Sequence, residues 1–156
     1  MKKWCKLDLK GGETASKLVV ELISEGFKIS DWIIDISLSL DSNLKKSYDL
    51  WLVSLADLGF DSPTKIKDFY LELERNGYRT VPPEVALILR KSYTDQPKTE
   101  WLRIATPLDA MIDRDGVPHL PKLGCALGNL YIETYWAWPE AIFHPHNEFI
   151  VEKKQG

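Results

Sequence analysis

An alternating stretch near the C-terminal end runs into a proline, and few folds accommodate the segment beyond it. Leu130, Ile132, Thr134 and Trp136 alternate with Tyr131, Glu133, Tyr135 and Ala137, the period of two that marks a strand with two different faces. Pro139 has no N–H to give to a ladder and closes that strand. Phe149, Ile150 and Val151 begin another, which Lys153 and Lys154 carry towards solvent. The connection between the two holds Trp138, Glu140, Ile142, Phe143, His144, His146 and Asn147. Two strands framing a loop so dense in aromatic and polar groups describe a display surface better than a reaction centre.

The rest of the chain supplies a base for that surface. Residues 4–9, with Cys5, Leu7 and Leu9 on one side, suggest a short strand broken by Gly11-Gly12. Ala15, Leu18, Val19, Leu22 and Ile23 form one stripe and predict a helix over 14–25, with Gly26 suited to the left-handed position after its end. Ser30 and Asp31 are fitted to cap a second helix carrying Trp32, Ile33, Ile36 and Leu40. The polar run 41–46 is the best boundary, which divides the chain into an N-terminal helical segment (1–45) and a second domain (46–156).

Residues 48–55 read as a strand apolar on both faces, and therefore buried on both. Residues 64–76 read as a helix stopped by Gly77, and Pro82-Pro83-Glu84 opens another. Its pattern shifts towards strand near residues 87–90. Beyond residue 100 the chain reads as strand and turn. Residues 100–105 place Leu102 and Ile104 on one face and Trp101 and Arg103 on the other. Residues 111–113 and 117–120 flank the turn Arg114-Asp115-Gly116, and 124–128 read as a loop. Helices first and antiparallel strands after them predict an α+β fold.

Charge and cysteine usage remove several functions. A net charge of −3 over 156 residues, with basic residues scattered as Lys45-Lys46 and Arg90-Lys91, argues against nucleic acid as a partner. Cys5 and Cys125 make no disulfide framework and match no metal spacing. No apolar run reaches the length of a membrane span, and no signal-peptide core follows Met1-Lys2-Lys3. The expectation is a chain in the cytoplasm by default, or one displayed through a partner.

The constellations that carry chemistry are weak. Aligning Gly116 with the glycine of a calcium loop puts Met111 and Lys122 where carboxylates are needed, so Asp113-Arg114-Asp115-Gly116 is a turn. His144 and His146, with His119 as a third imidazole, would need to converge to hold zinc, and nothing in their spacing enforces that. Cys125, His144 and Asn147 follow the order of a cysteine-nucleophile triad, yet Cys125 has no neighbouring cation or helix N-terminus in sequence to activate it. No cofactor and no metal is expected. A small hydrolase using Cys125 with a loop histidine, and a structural virion or surface module without a ligand, are the rival readings to a binding protein.

One resemblance adds to this. The strand at 48–55, the two helices, and a mostly β second half closing on a terminal strand at 149–152 resemble a C-type lectin fold. Leu-Arg-Lys-Ser-Tyr-Thr-Asp-Gln-Pro-Lys-Thr-Glu-Trp-Leu-Arg-Ile-Ala (89–105) and the Trp-Ala-Trp-Pro of 136–139 resemble variable proteins of diversity-generating retroelements. The resemblance covers roughly 48–154 and leaves the first 45 or so residues outside.

It implies a ligand binder, its partner an unidentified protein or surface, with codons near the C-terminus diversified at template adenines. Asn codons so treated yield residue types found at Cys125, Ala126, Leu127, Asn129, Thr134, Tyr135, Ala141, Ile142, His144, His146 and Asn147. Glu133, Trp138 and Glu140 depart from that pattern; Trp138 and Glu140 are still expected at the ligand surface. In this reading Tyr135, Ile142, His144, His146 and Asn147 are exposed on one face, while Trp136, Phe143 and Phe149 are buried beneath them. The first and last strands of the domain, near 51–55 and 149–152, pair in one sheet.

Overall fold

A computed structural model describes residues 1–155. In chain order the elements are β1 (Lys2–Asp8), α1 (Ala15–Ser24), β2 (Lys28–Ile29), α2 (Asp31–Ser37), β3 (Ser47–Ser54), β4 (Thr64–Lys65), α3 (Ile66–Arg75), β5 (Tyr78–Arg79) and α4 (Pro83–Ser92). The second half holds β6 (Trp101–Ile104), β7 (His119–Ala126), β8 (Asn129–Trp136), β9 (Ile142–Phe143) and β10 (Glu148–Lys153). The fold is α+β. One sheet runs β1-β3-β10-β6-β7-β8-β2, with β5 pairing β10 beside that path.

The terminal strand lies at the middle of this sheet. β10 pairs antiparallel with β3, setting Phe149 opposite Val53 and Val151 opposite Trp51, as expected for 51–55 and 149–152. Its other edge runs parallel to β6, with Phe149 opposite Arg103 and Ile150 opposite Ile104. From there β6, β7 and β8 follow antiparallel.

Alternation on the central strands sends side chains into two separate cores. Leu50, Leu52, Leu102, Ile104, Leu123, Ile132 and Ile150 face α1, α2 and α4, whose Leu18, Leu22, Ile33, Val85 and Leu89 close over them. Val53, Phe149 and Val151 point to the opposite side, where α3 covers them with Ile66, Phe69 and Leu73. The Phe69 and Phe149 rings stand 4.9 Å apart. Because α3 covers only the β3–β10 half, that side of β6, β7 and β8 has no helix over it.

The N-terminal 45 residues are built into this sheet and core and are not only helical. β1 pairs with β3, and β2 pairs parallel with β8, Lys28 opposite Tyr131. Ala15, Leu18, Val19 and Leu22 belong to the same buried cluster as Leu50 and Leu102. Thr14 and Ser30 cap α1 and α2 by accepting from the Lys17 and Trp32 N–H groups.

Several boundaries differ from expectation. α2 ends at Ser37, leaving Leu40 beyond it. Thr64 and Lys65 form a strand, and α3 starts only at Ile66. α4 continues through residues 87–90 to Ser92. It packs so widely that Val85, Ala86, Leu87 and Leu89 are all buried, which blurs the helical period. β7 extends to Ala126, so the loop expected at 124–128 shrinks to Leu127-Gly128. These two residues have φ of 51° and 77°, the left-handed pair that a two-residue hairpin turn requires.

Candidate functional site

The open side of β6, β7 and β8 is set by register. Trp101 lies opposite Gly124, and Gly124 opposite Tyr131; Arg103 lies opposite Lys122, and Lys122 opposite Glu133; Leu120 lies opposite Tyr135. All of these share the face turned away from α1, α2 and α4. Except for Gly124 and Leu120, they are half-buried or exposed.

Contacts along the face are aromatic and cationic. Trp101 lies flat over Gly124: a Cβ there would come within 2.3 Å of the indole Cζ3. The Lys122 ammonium sits 5.0 Å from the Trp101 ring centroid and 5.8 Å from that of Tyr135. The Arg103 guanidinium stands 5.5 Å from the Phe143 ring. Phe143 in turn packs 5.0 Å from Tyr135 and 5.2 Å from Phe149.

A braced loop forms one border. β9 pairs with β4, Ile142 opposite Lys65 and Phe143 opposite Thr64. The first N–H groups of a helix have no partner within it, and α3 has no side-chain cap. Here the loop supplies them: Ile66 N–H donates to the Ala141 carbonyl (2.8 Å) and Lys67 N–H to that of Pro139 (3.2 Å). Lys67 Nζ also bonds Glu140 Oε1 at 3.1 Å, which holds the Glu140 carboxyl below its usual range. Ile142 (46% exposed) and Trp138 (48%) project from a loop fixed at both its backbone and its Phe143 plug.

Electrostatics single out one group. Arg75, Arg79 and Arg114 each pair with a carboxylate. Arg90, fully buried, donates to the carbonyls of Tyr93, Gly124 and Tyr131 and to Gln96. Burial lowers the Arg90 pKa to about 10, opposed by the nearby Cys125 thiol and Tyr93 phenol. Arg103 alone among the arginines of the described residues has no bonded partner, and its Nε is buried and unsatisfied. Burial lowers its pKa, with the Tyr135 phenol acting in the opposite direction.

The expected site residues separate into groups. Tyr135 (39% exposed), Ile142, Trp138 and Glu140 lie on or beside the open face. Ala126 and Asn129 lie opposite one another at the far end of the β7–β8 hairpin, on the open face beside Gly124 and Tyr131, whereas Cys125 faces the other side and Leu127 is in the turn. Thr134 points to the other side, where its Oγ1 lies 3.0 Å from His119 Nδ1. Ala141 packs partly into the α3 core.

His144, Pro145, His146 and Asn147 form a tight turn, with Asn147 N–H donating to the His144 carbonyl at 3.0 Å. The Asn147 Oδ1 accepts from His144 N–H at 2.7 Å, which leaves Asn147 half-buried where exposure was expected. The two imidazoles stack at 5.8 Å.

Trp136 corrects the division between display and scaffold. It is 64% exposed at the last position of β8, on the side away from the α3 core in which its neighbour Ala137 is buried, and Ala137 N–H donates to the Pro118 carbonyl. Phe143 and Phe149 are buried as expected.

His119 is 1% exposed and bonded to Asp113 Oδ2 at 2.8 Å, and so is not a third imidazole for the loop histidines. Asp113 also accepts from Asp115 and Val117 N–H, so this line of buried groups secures the 113–117 turn. The described residues contain no group of three His, Cys, Asp or Glu placed to hold a metal. The triad order likewise dissolves, with Cys125 at the hairpin tip and His144 and Asn147 in a turn whose Pro145 carbonyl accepts from Ala56 N–H beside β3.

Trp101, Arg103, Lys122 and Tyr131 were not among the expected site residues. Alternation did place Trp101 and Arg103 on one face of their strand. Only the absence of a helix over that face makes them surface.

No helix among the described residues is long and apolar enough to cross a membrane. No protein-family model, curated protein or solved structure matches the chain.

Proposed function

We propose that the chain is a ligand-binding protein whose site is the open face of β6–β8 with its bordering loop, and that it is a variable protein of a diversity-generating retroelement on a C-type lectin-like scaffold. The observation that carries the reading is an uncovered sheet face bearing aromatic and cationic side chains, bordered by a loop that the protein's own hydrogen bonds and packing brace. Rigid aromatic groups give contact area with little entropy lost on binding. The loop border is fixed by the α3 N-terminus and Phe143, so binding need not order it.

The lectin-like part is supported by the terminal strand β10 pairing with β3, the first strand of the stretch that resembles that fold, which leaves the second half of the chain free to form the surface. The retroelement part rests on the residue types at Tyr135, Ile142 and their neighbours. Sequencing the gene's flanks tests it: a near-identical downstream repeat, with adenines where this gene carries other bases at those codons, is expected. Flanks without such a repeat refute the retroelement assignment. Binding that survives simultaneous alanine substitution of Trp101, Tyr131 and Tyr135 refutes the face.

A further inference from the structure

Resting on that reading, we infer that the face selects an acidic protein segment, with one carboxylate seated between Arg103 and Lys122 and an adjoining apolar side chain against Trp101 and Tyr135. Arg103 and Lys122 are direct cross-strand partners, so two like charges oppose one another on neighbouring strands. That arrangement is destabilising by itself. Neither forms an ion pair among the described residues, and Glu133, opposite Lys122 on β8, forms none either. An incoming carboxylate relieves the repulsion, satisfies guanidinium donors that bond nothing in the free protein, and suits the planar fork of Arg.

The number of charges selects the class of ligand. Nucleic-acid binding draws on several phosphate contacts, whereas this face offers Arg103 and Lys122, with Lys28 at its β2 edge opposite Tyr131, on a chain of net charge −3. Saccharide hydroxyls need acceptors as well as donors, and the strands of the face carry one carboxylate, Glu133, while Glu140 in the bordering loop is paired with Lys67. The aromatic floor and paired cations fit an acidic side chain beside an apolar one. Arg103 and Lys122 also lie upstream of the stretch expected to vary, so they would form a constant anchor within a changing rim.

The test pans a random dodecapeptide phage library on the intact protein, with hyaluronate as a separate probe. Selected peptides are expected to carry Asp or Glu beside an aromatic or aliphatic residue. Their affinity, measured by fluorescence polarisation, should fall about tenfold or more for Arg103→Gln and for Lys122→Gln, and when the peptide acid becomes its amide. Binding should also weaken with salt.

Each substitution removes the cross-strand repulsion but also a cation–π contact, Arg103 with Phe143 and Lys122 with Trp101, so the two effects offset and the melting temperatures should change by no more than about 4 °C. Selection of peptides without acids, selection of none, unchanged affinity in Arg103→Gln, or preference for hyaluronate each overturns the inference. Acid-free peptides whose binding is lost with Trp101→Ala would overturn the acidic class and leave the face as the site. Peptides indifferent to every substitution on the face would overturn both.

Discussion

Gly124→Ala is the sharpest test of how the open face is assembled. Gly124 has no left-handed backbone to preserve, so its lack of a side chain matters only through Trp101, whose ring occupies the space of a Cβ at 2.3–2.5 Å. Two effects oppose each other. Alanine reduces the freedom of the unfolded chain and stabilises by about 0.4–1 kcal/mol. Overpacking costs about 1–3 kcal/mol, and the low end applies because Trp101 is half-buried and can swing outward. The balance is a loss of up to about 0.6 kcal/mol, or up to about 2 °C in melting temperature for a chain of this size.

Removing the indole removes the clash. In a Trp101→Ala background the same Gly124→Ala change should therefore stabilise, by about 0.4–1 kcal/mol. Thermal and urea denaturation of the four proteins in this cycle measures the reversal of sign. A stabilising Gly124→Ala in the parent protein, or an equal loss in both backgrounds, refutes the placement of Trp101 across the sheet.

Phe143→Ala, which empties a buried site between Phe149, Tyr135 and Arg103, should cost about 3–5 kcal/mol, whereas Trp136→Ala should stay within about 1 kcal/mol by denaturant unfolding. Leu127→Gly should raise stability by up to about 1.5 kcal/mol, since Leu127 holds φ of 51° at 93% exposure, and relief of that strain (about 1–2 kcal/mol) exceeds the freedom glycine adds to the unfolded chain (about 0.4–1 kcal/mol); a melting temperature that drops would contradict the turn. The bond from His119, aided by the Val117 and Asp115 N–H groups, holds the Asp113 carboxyl below its ordinary pKa. Its stabilisation is thus fully present above the usual carboxylate pKa of about 4 and is lost as pH falls through the lower folded value. The stability gap between the parent and Asp113→Asn should accordingly narrow below about pH 4 in an acid titration followed by circular dichroism.

Local rules were enough for much of the fold. The Thr14 and Ser30 caps, the stripe of Leu18 and Leu22, Gly26 after its helix and the alternation of residues 130–136 report backbone geometry and periodicity, which depend on neighbours in the chain. The α+β order and the strands near 48–55 and 149–151 follow from the same signals. What depended on partners distant in sequence could not be read there. Tyr135 and Trp136 are adjacent aromatics on opposite faces of β8, and both are exposed: α3 stops short of the first, and Trp136 is the last residue of the strand.

Cys125, His144 and Asn147 share an order but not a place, because Cys125 lies at the tip of the β7–β8 hairpin while the 144–147 turn is bonded to Ala56 after β3. Arg103 shows the limit most directly. Its alternation with Leu102 placed it on a face, but whether that face met a helix, a carboxylate or open solvent was decided by where α3 packs. Burial and charge compensation belong to the assembled sheet, and that is why the surface most suited to a ligand emerged only in three dimensions.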